Sequence, residues 1–219
     1  KIVEKLDSSF NKIQHIENKH TTEVNFINNF QKSFIKNKFD GNTYEFQKLE
    51  DFFEITSSKR VFKSEWTNSG IPFLRARELV KLANNLEFKD PIFISESHYE
   101  KIKNKYGVPK NGDILITGVG TLGITYLVDD DEKFYFKDGN IIWLKSLNKV
   151  NSEFIKLYID SPEIQTKINN KIGATVKTLT ISDANKLEVP VPPKKIQDKL
   201  INEIKNFNIL LNNFKELNS

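Results

Sequence analysis

Apolar residues recur every seven positions at both ends of this 219-residue chain. At the start, Leu6, Ile13, His20, Ile27 and Phe34 form one row. Ile2, Ile16 and Phe30 fall on a second row of the same spacing, with Val3, Phe10 and Val24 beside it. A seven-residue apolar period is the mark of an amphipathic helix with coiled-coil character. The pattern predicts such a helix over residues 1–41, stopped by Asp40-Gly41-Asn42. His20 takes a seam position, either as a polar register-setting residue or as a tolerated, partly exposed one. The far end repeats the design over 194–219: Leu200, Phe207 and Phe214 are seven apart, as are Ile204 and Leu211, with Leu210 and Leu217 alongside. The two helices also open alike, Lys1-Ile2-Val3-Glu4-Lys5-Leu6 against Lys195-Ile196-Gln197-Asp198-Lys199-Leu200. Each alone would leave a long apolar stripe in water. They are expected to pack antiparallel on each other or to find outside partners.

The middle, 42–193, has a mixed pattern. Phe46–Ile55 fits a strand, or a short helix leading into one. Ile71-Pro72-Phe73-Leu74-Arg75 and Ile114-Leu115-Ile116-Thr117 read as short buried strands, and Ile141–Lys145 as another. Ser95–Asn104 is expected to be a helix capped by Ser95 or Ser97. Pro109-Lys110-Asn111-Gly112-Asp113 is a turn. Ile124–Val128 and Lys133–Phe136 flank the acidic run Asp129-Asp130-Asp131-Glu132 and are expected to pair as a hairpin. Ser152–Asn169 reads as one helix, and Ser182-Asp183-Ala184-Asn185 as a short turn. Leu187–Pro193 is extended, because each proline drives the residue before it out of the helical region. The expected architecture is α+β: a globular mixed domain between two long coiled-coil-like helices.

Composition narrows the chemistry. Cysteine is absent, which excludes thiolate metal sites and disulfides and permits a reducing, cytoplasmic setting. Methionine is also absent, so the sequence is expected to be an excised segment or a processed product. No run reaches the roughly 18–20 apolar residues of a membrane span. The net charge is +4, yet 42–193 holds 21 basic and 21 acidic residues. Charge is polarised locally: Lys59, Arg60, Lys63, Arg75 and Arg77 face only Glu65 between positions 57 and 77. A basic face on a neutral domain can bind nucleic acid, although scattered solvated charge has the same composition.

Catalytic constellations are not evident. His15, His20 and His98 are dispersed. Gly118-Val119-Gly120-Thr121-Leu122-Gly123 matches a dinucleotide fingerprint in form, but strand-like Ile124–Val128 follows it, so the helix dipole that would hold a pyrophosphate is missing. Glu87-Phe88-Lys89 has the tail of a nuclease pattern without its first acid. No cofactor or metal is expected.

Six short motifs stand in order: Ile71-Pro72-Phe73-Leu74-Arg75, Pro109–Thr117, Gly120-Thr121-Leu122-Gly123, Asp160-Ser161-Pro162-Glu163-Ile164-Gln165, Gly173–Ser182 and Leu187–Gln197. In that order they resemble the specificity subunit of type I restriction-modification systems, over about residues 44–200. The resemblance implies a non-enzymatic DNA target-recognition domain, 42–193, between spacer helices at 1–41 and 194–219. It implies double-stranded DNA, methyltransferase (modification) subunits and a motor-nuclease (restriction) subunit as partners. A homodimer through the spacer helices would supply two such domains. A protein-docking scaffold, whose globular domain binds protein instead, is the alternative.

Specific readout needs arginine for guanine, and asparagine or glutamine for adenine; backbone contact needs lysines, hydroxyls and loop amides. The residues of those types on expected loops and strand ends are Ser58, Lys59, Arg60, Arg75, Arg77, Thr117, Thr121, Lys177 and Thr178. Arg75 and Arg77 could instead pair internally with Glu78 or Asp113. Trp66 could be core, and Gly120 and Gly123 turn-forming.

Overall fold

A computed structural model of the chain describes residues 44–87, 90–129, 133–170 and 178–217, together with seven helical positions between Asn29 and Phe39. The chain divides into two compact units, Asn42–Asn202 on the one hand and Lys1–Gly41 with Glu203–Ser219 on the other.

The larger unit is mixed α/β. Its strands are β1 (Phe46–Lys48), β2 (Phe53–Thr56), β3 (Trp66–Thr67), β4 (Ile71–Leu74), β5 (Phe93–Ile94), β6 (Ile114–Thr117), β7 (Thr125–Leu127), β8 (Tyr135–Phe136), β9 (Ile141–Ser146) and β10 (Glu188–Pro190). Among the described residues these form a β1-β10 pair and two four-stranded sheets, ordered β2-β9-β6-β7 and β3-β5-β4-β8. Every pairing is antiparallel except β4 with β8. Its helices are α1 (Ala76–Ala83), α2 (Glu96–Tyr106), α3 (Ser152–Ile159), α4 (Pro162–Asn169) and α5 (Ile181–Asn185); a sixth, α6 (Lys194–Leu217), begins in this unit and has its residues from Glu203 onward in the smaller one.

The buried apolar runs became central strands: Ile114–Thr117 is buried at every position, as the unbroken run Ile-Leu-Ile-Thr requires. Two clusters fill the interior. One gathers Val61, Ile71, Phe73, Ile94, Tyr99, Ile102, Val108 and Tyr135, with Trp66 packed against it. The other gathers Leu74, Leu79, Leu115, Val128, Phe134, Phe136, Ile141 and Trp143. Asp113, at the end of the Pro-Lys-Asn-Gly-Asp turn, is buried and ties the turn to β9. Its carboxylate accepts from Trp143 Nε1 (2.8 Å), the Ser146 amide (2.9 Å) and the Lys110 amide (3.0 Å).

Three expectations need correction. The segments 124–128 and 133–136 do not pair as a hairpin: β7 pairs with β6, and β8 runs parallel to β4. Aromatic Tyr135 and Phe136 are fully buried there, a burial that a two-stranded ribbon cannot give. Residues 152–169 are two helices, because Pro162 has no amide to continue α3 and instead occupies the first turn of α4. The turn at 182–185 lies within a short helix, α5, whose capping Thr180 accepts from the Asp183 amide at 3.1 Å and donates to its carboxylate at 2.7 Å. Helix α2 is capped by Ser95, whose hydroxyl accepts from the His98 amide.

In the smaller unit, Phe34 stacks on Phe207 with ring centroids 4.0 Å apart, and Phe30 lies 5.7 Å from the same ring. His20 and the first twenty-eight residues lie outside those described.

Candidate nucleic-acid interface

Four loops meet at one end of the central sheet. The segment after β2 is held to the turn before β9: Ser57 Oγ donates to the Ile141 carbonyl (3.1 Å) and accepts from the Gly139 amide (3.3 Å). Further along, the Lys59 amide donates to the phenol oxygen of buried Tyr135 (2.7 Å). Burial pushes the Tyr135 hydroxyl up in pKa, so it stays protonated. The glycine-rich loop after β6 joins the same group. The Gly118 amide donates to the Asn140 carbonyl (2.8 Å), and the Leu179 amide to the Gly118 carbonyl (3.0 Å). A Cβ on Gly118 would stand 2.8 Å from the Leu179 carbonyl oxygen, so only glycine lets the 178–180 segment approach this closely. A 450 Å³ cleft opens among Ser57, Val119, Gly139, Thr178 and Thr180.

The cations sit around these loops. Lys59 and Arg60 are exposed on the first of them, and the Lys59 ammonium lies 5.4 Å from the centre of the Tyr106 ring. Lys105 approaches the same ring at 5.1 Å. The parallel pairing of β4 and β8 delivers a second group, since Leu74 faces Phe136 and the Lys137 amide donates to the Leu74 carbonyl (2.8 Å). The residues that follow each strand, Arg75–Arg77 and Lys137–Asp138, are thereby carried to one end.

The structure sorts the nine sequence-derived candidates. Lys59, Arg60, Arg77 and Thr121 are exposed, and Thr178 is half-buried. Ser58 and Thr117 are buried, at 7% and 0% relative exposure, which leaves no surface for a base or phosphate. The Thr117 hydroxyl is occupied inside its own loop, donating to the Thr121 carbonyl and accepting from the Ile124 amide at 3.0 Å. Arg75 turns inward, with its amide (3.1 Å) and Nε (2.9 Å) both donating to Glu78 Oε2 and Nη2 donating to Oε1. Neither Arg75 nor Arg77 pairs with Asp113; both go to Glu78. Burial pushes the Glu78 carboxyl up, but hydrogen bonds from Arg75 and Arg77 and the Arg75 charge outweigh it and leave the carboxyl below its usual value. Lys177 lies outside the described residues.

Sequence reasoning missed Lys137 and Asp138. Their signal is spatial, because the parallel β4–β8 pairing that brings them towards the arginines joins residues sixty-two positions apart, Phe73 with Tyr135 and Leu74 with Phe136. The glycine motif is not a dinucleotide loop: strand β7 follows it. Its last glycine has φ +75°, and its carbonyl accepts from Gln165 Nε2 at 2.9 Å. Among the described residues there is no cluster of three His, Asp or Glu placed to hold a metal ion.

The family model for the type I restriction modification DNA specificity domain matches residues 41–218. The chain belongs to that family. A Haemophilus influenzae protein described as a type I restriction enzyme specificity subunit is 31% identical over 174 residues, covering 77% of this chain and 41% of its own length. Solved structures agree on the fold. A chain from a study of complex assembly and conformational transition in the type I R-M system superposes with a TM-score of 0.75 at 15% identity, covering 99% of this chain and 53% of its own. The HsdS subunit from Thermoanaerobacter tengcongensis gives 0.66 at 13% identity, covering 100% and 52%. The specificity domain described here thus spans less than half of the curated relative and about half of each solved chain. In it, the loop after β6 is clasped at two points, the Leu179 amide donating to the Gly118 carbonyl and Gln165 Nε2 to the Gly123 carbonyl.

Proposed function

We propose that this chain is a DNA-recognition half of a type I specificity subunit, reading one part of a bipartite target and directing methyltransferase and motor-nuclease subunits to it. The observation that carries this is the convergence of the 57–60, 118–123, 138–140 and 178–180 segments, with exposed Lys59, Arg60 and Arg77 around them. Residues 42–193 form the recognition domain, and 1–41 and 194–219 act as antiparallel spacer helices. The Phe34–Phe207 stack supports that pairing. Two copies joined through these helices would place two recognition domains about a two-fold axis, reading inverted copies of one half-site. Contacts to DNA are assigned to Lys59, Arg60, Arg77, Thr121, Lys177 and Thr178. Ser58 and Thr117 support the loops from beneath.

The chain does no chemistry itself in this reading; it works beside the DNA in the cytoplasm, and the assembled complex supplies catalysis. Among the described residues no helix is long and apolar enough to cross a membrane. The test is a titration of the subunit, in complex with its methyltransferase partner, against duplex DNA at several salt concentrations. Phosphate contacts by lysine release counterions, so affinity should fall steeply with salt, and Lys59→Ala should make that slope shallower by about 1 while weakening all sequences alike. Salt-independent association with other proteins, and none with DNA, would favour a docking scaffold.

A further inference from the structure

Three arginines lie near the converging loops, and the structure treats them differently. Arg75 is engaged through its Nε and Nη2 together, and its side chain is only 23% exposed. Arg77 is gripped through Nε alone, 2.6 Å from Glu78 Oε1, with 62% of its side chain exposed. Arg60 repeats that arrangement on another loop: Nε donates to Asp138 Oδ2 at 2.9 Å, and the side chain is 68% exposed. Both holding carboxylates are largely sheltered, Glu78 at 5% and Asp138 at 17%. Among the described residues the Nη1/Nη2 edges of Arg60 and Arg77 have no partner.

We propose that Arg60 and Arg77 are the guanine-reading side chains of this recognition domain, and that Asp138 and Glu78 are the positioning residues that aim them. The inference rests on the DNA-recognition function proposed above. Guanine offers O6 and N7 side by side in the major groove, and the paired terminal nitrogens of a guanidinium match that edge. A carboxylate on Nε fixes the plane of the guanidinium and leaves that terminal edge outward. It also removes rotamer freedom before binding, so less is lost when the base is met.

The carboxylates aim the two arginines rather than neutralise them. Each acid is shared with a second cation, Glu78 with Arg75 and Asp138 with Lys137 at 3.8 Å, so its effect on the exposed guanidinium is on direction more than on charge. Lys59 is the contrast: its ammonium stands against an aromatic ring, with no carboxylate within 4.0 Å among the described residues, which suits a phosphate. The two arginine–carboxylate pairs also share a location. Arg77 follows β4 and Asp138 follows β8, and these strands lie side by side with Leu74 opposite Phe136.

The experiment is an enrichment of a randomised duplex library by the whole subunit bound to its methyltransferase partner, read by sequencing. The wild type should return a motif with guanine-requiring positions. Arg60→Lys and Arg77→Lys should each relax one guanine position, by about 5- to 150-fold in discrimination, and leave the other positions unchanged. Asp138→Asn and Glu78→Gln should relax the same positions as their arginines, each more weakly, while a melting curve shows the fold intact. Arg75→Lys should change no position. In a defined duplex, 7-deazaguanine at the assigned position should weaken the wild type more than the matching lysine variant, whose single ammonium makes less of the O6/N7 edge. If the lysine variants weaken all sequences equally or retain the full motif, the guanine assignment is overturned while DNA recognition stands. If the wild type enriches no motif at all, the proposed function itself fails.

Discussion

Gln165 reaches across from α4 to hold Gly123, its Nε2 donating to the Gly123 carbonyl at 2.9 Å and to the Ile159 carbonyl at 3.0 Å. One side chain thereby joins the glycine loop to the helix pair α3–α4. A Cβ on Gly123 would fall 3.0 Å from Gln165 Oε1. Gly123→Ala should therefore destabilise the fold twice over, through the positive φ and through this crowding, by about 1–3 kcal/mol. Gln165→Ala should cost a similar amount, about 1–3 kcal/mol, by stranding two carbonyls. Denaturant titration of each variant checks both, and wild-type stability in either would show that the clasp contributes nothing.

Asp113 gathers three donors in the interior, Trp143 Nε1 and the amides of Ser146 and Lys110. Asp113→Ala leaves all three unpaired and should cost at least about 3 kcal/mol. Trp143 fluorescence should report the loosening directly, as the indole loses its acceptor. A variant with unshifted melting and emission would contradict this role.

Glu78 carries an acid dependence. Its carboxyl is held below the ordinary value of 4.5 by Arg75 and Arg77 against the opposing effect of burial. A group whose folded pKa is depressed stabilises fully above its unfolded value and loses that contribution as pH falls through the folded one. Melting temperature should therefore drop more steeply in the wild type than in Glu78→Gln below about pH 4.5. Parallel pH profiles would show that the two arginines do not charge-stabilise the carboxylate.

Much of this was legible beforehand, for identifiable reasons. Ile114–Thr117 is an unbroken buried run, and such a run can only be a central strand or a core helix segment. Ser95 stands three residues before His98, the spacing of a capping hydroxyl and its amide. The split of residues 152–169 was missed although Pro162 announced it, because the apolar period of the flanking segments continues across the break. Parallel pairing of β4 with β8 was not legible at all, since strands of four and two residues carry no record of their partners. The site inherits the same division. The exposure of the basic residues at 59, 60 and 77 follows from their type and place, whereas burial of Ser58 and Thr117 and the grip of Asp138 on Arg60 depend on pairings made across the chain.

The smaller unit offers a separate test. Phe34 and Phe207 stack with 12° between their planes. Phe207→Ala should remove about 0.5–1.5 kcal/mol of aromatic pairing beyond the lost apolar burial, and should loosen the spacer or its assembly. Analytical ultracentrifugation and melting of the variant check this; unchanged values for both would contradict a buried seam.

Methylation in the cell tests DNA reading most directly. Genomic DNA from cells carrying the intact gene should be compared, base by base, with DNA from cells in which residues 42–193 have been replaced by another recognition domain. The expected result is that adenine methylation moves to a second motif that differs in every half-site this chain reads, one half where it occupies one side of the target and both where two copies pair. Methylation of the same complete motif in both strains would contradict a role for this chain in reading DNA sequence.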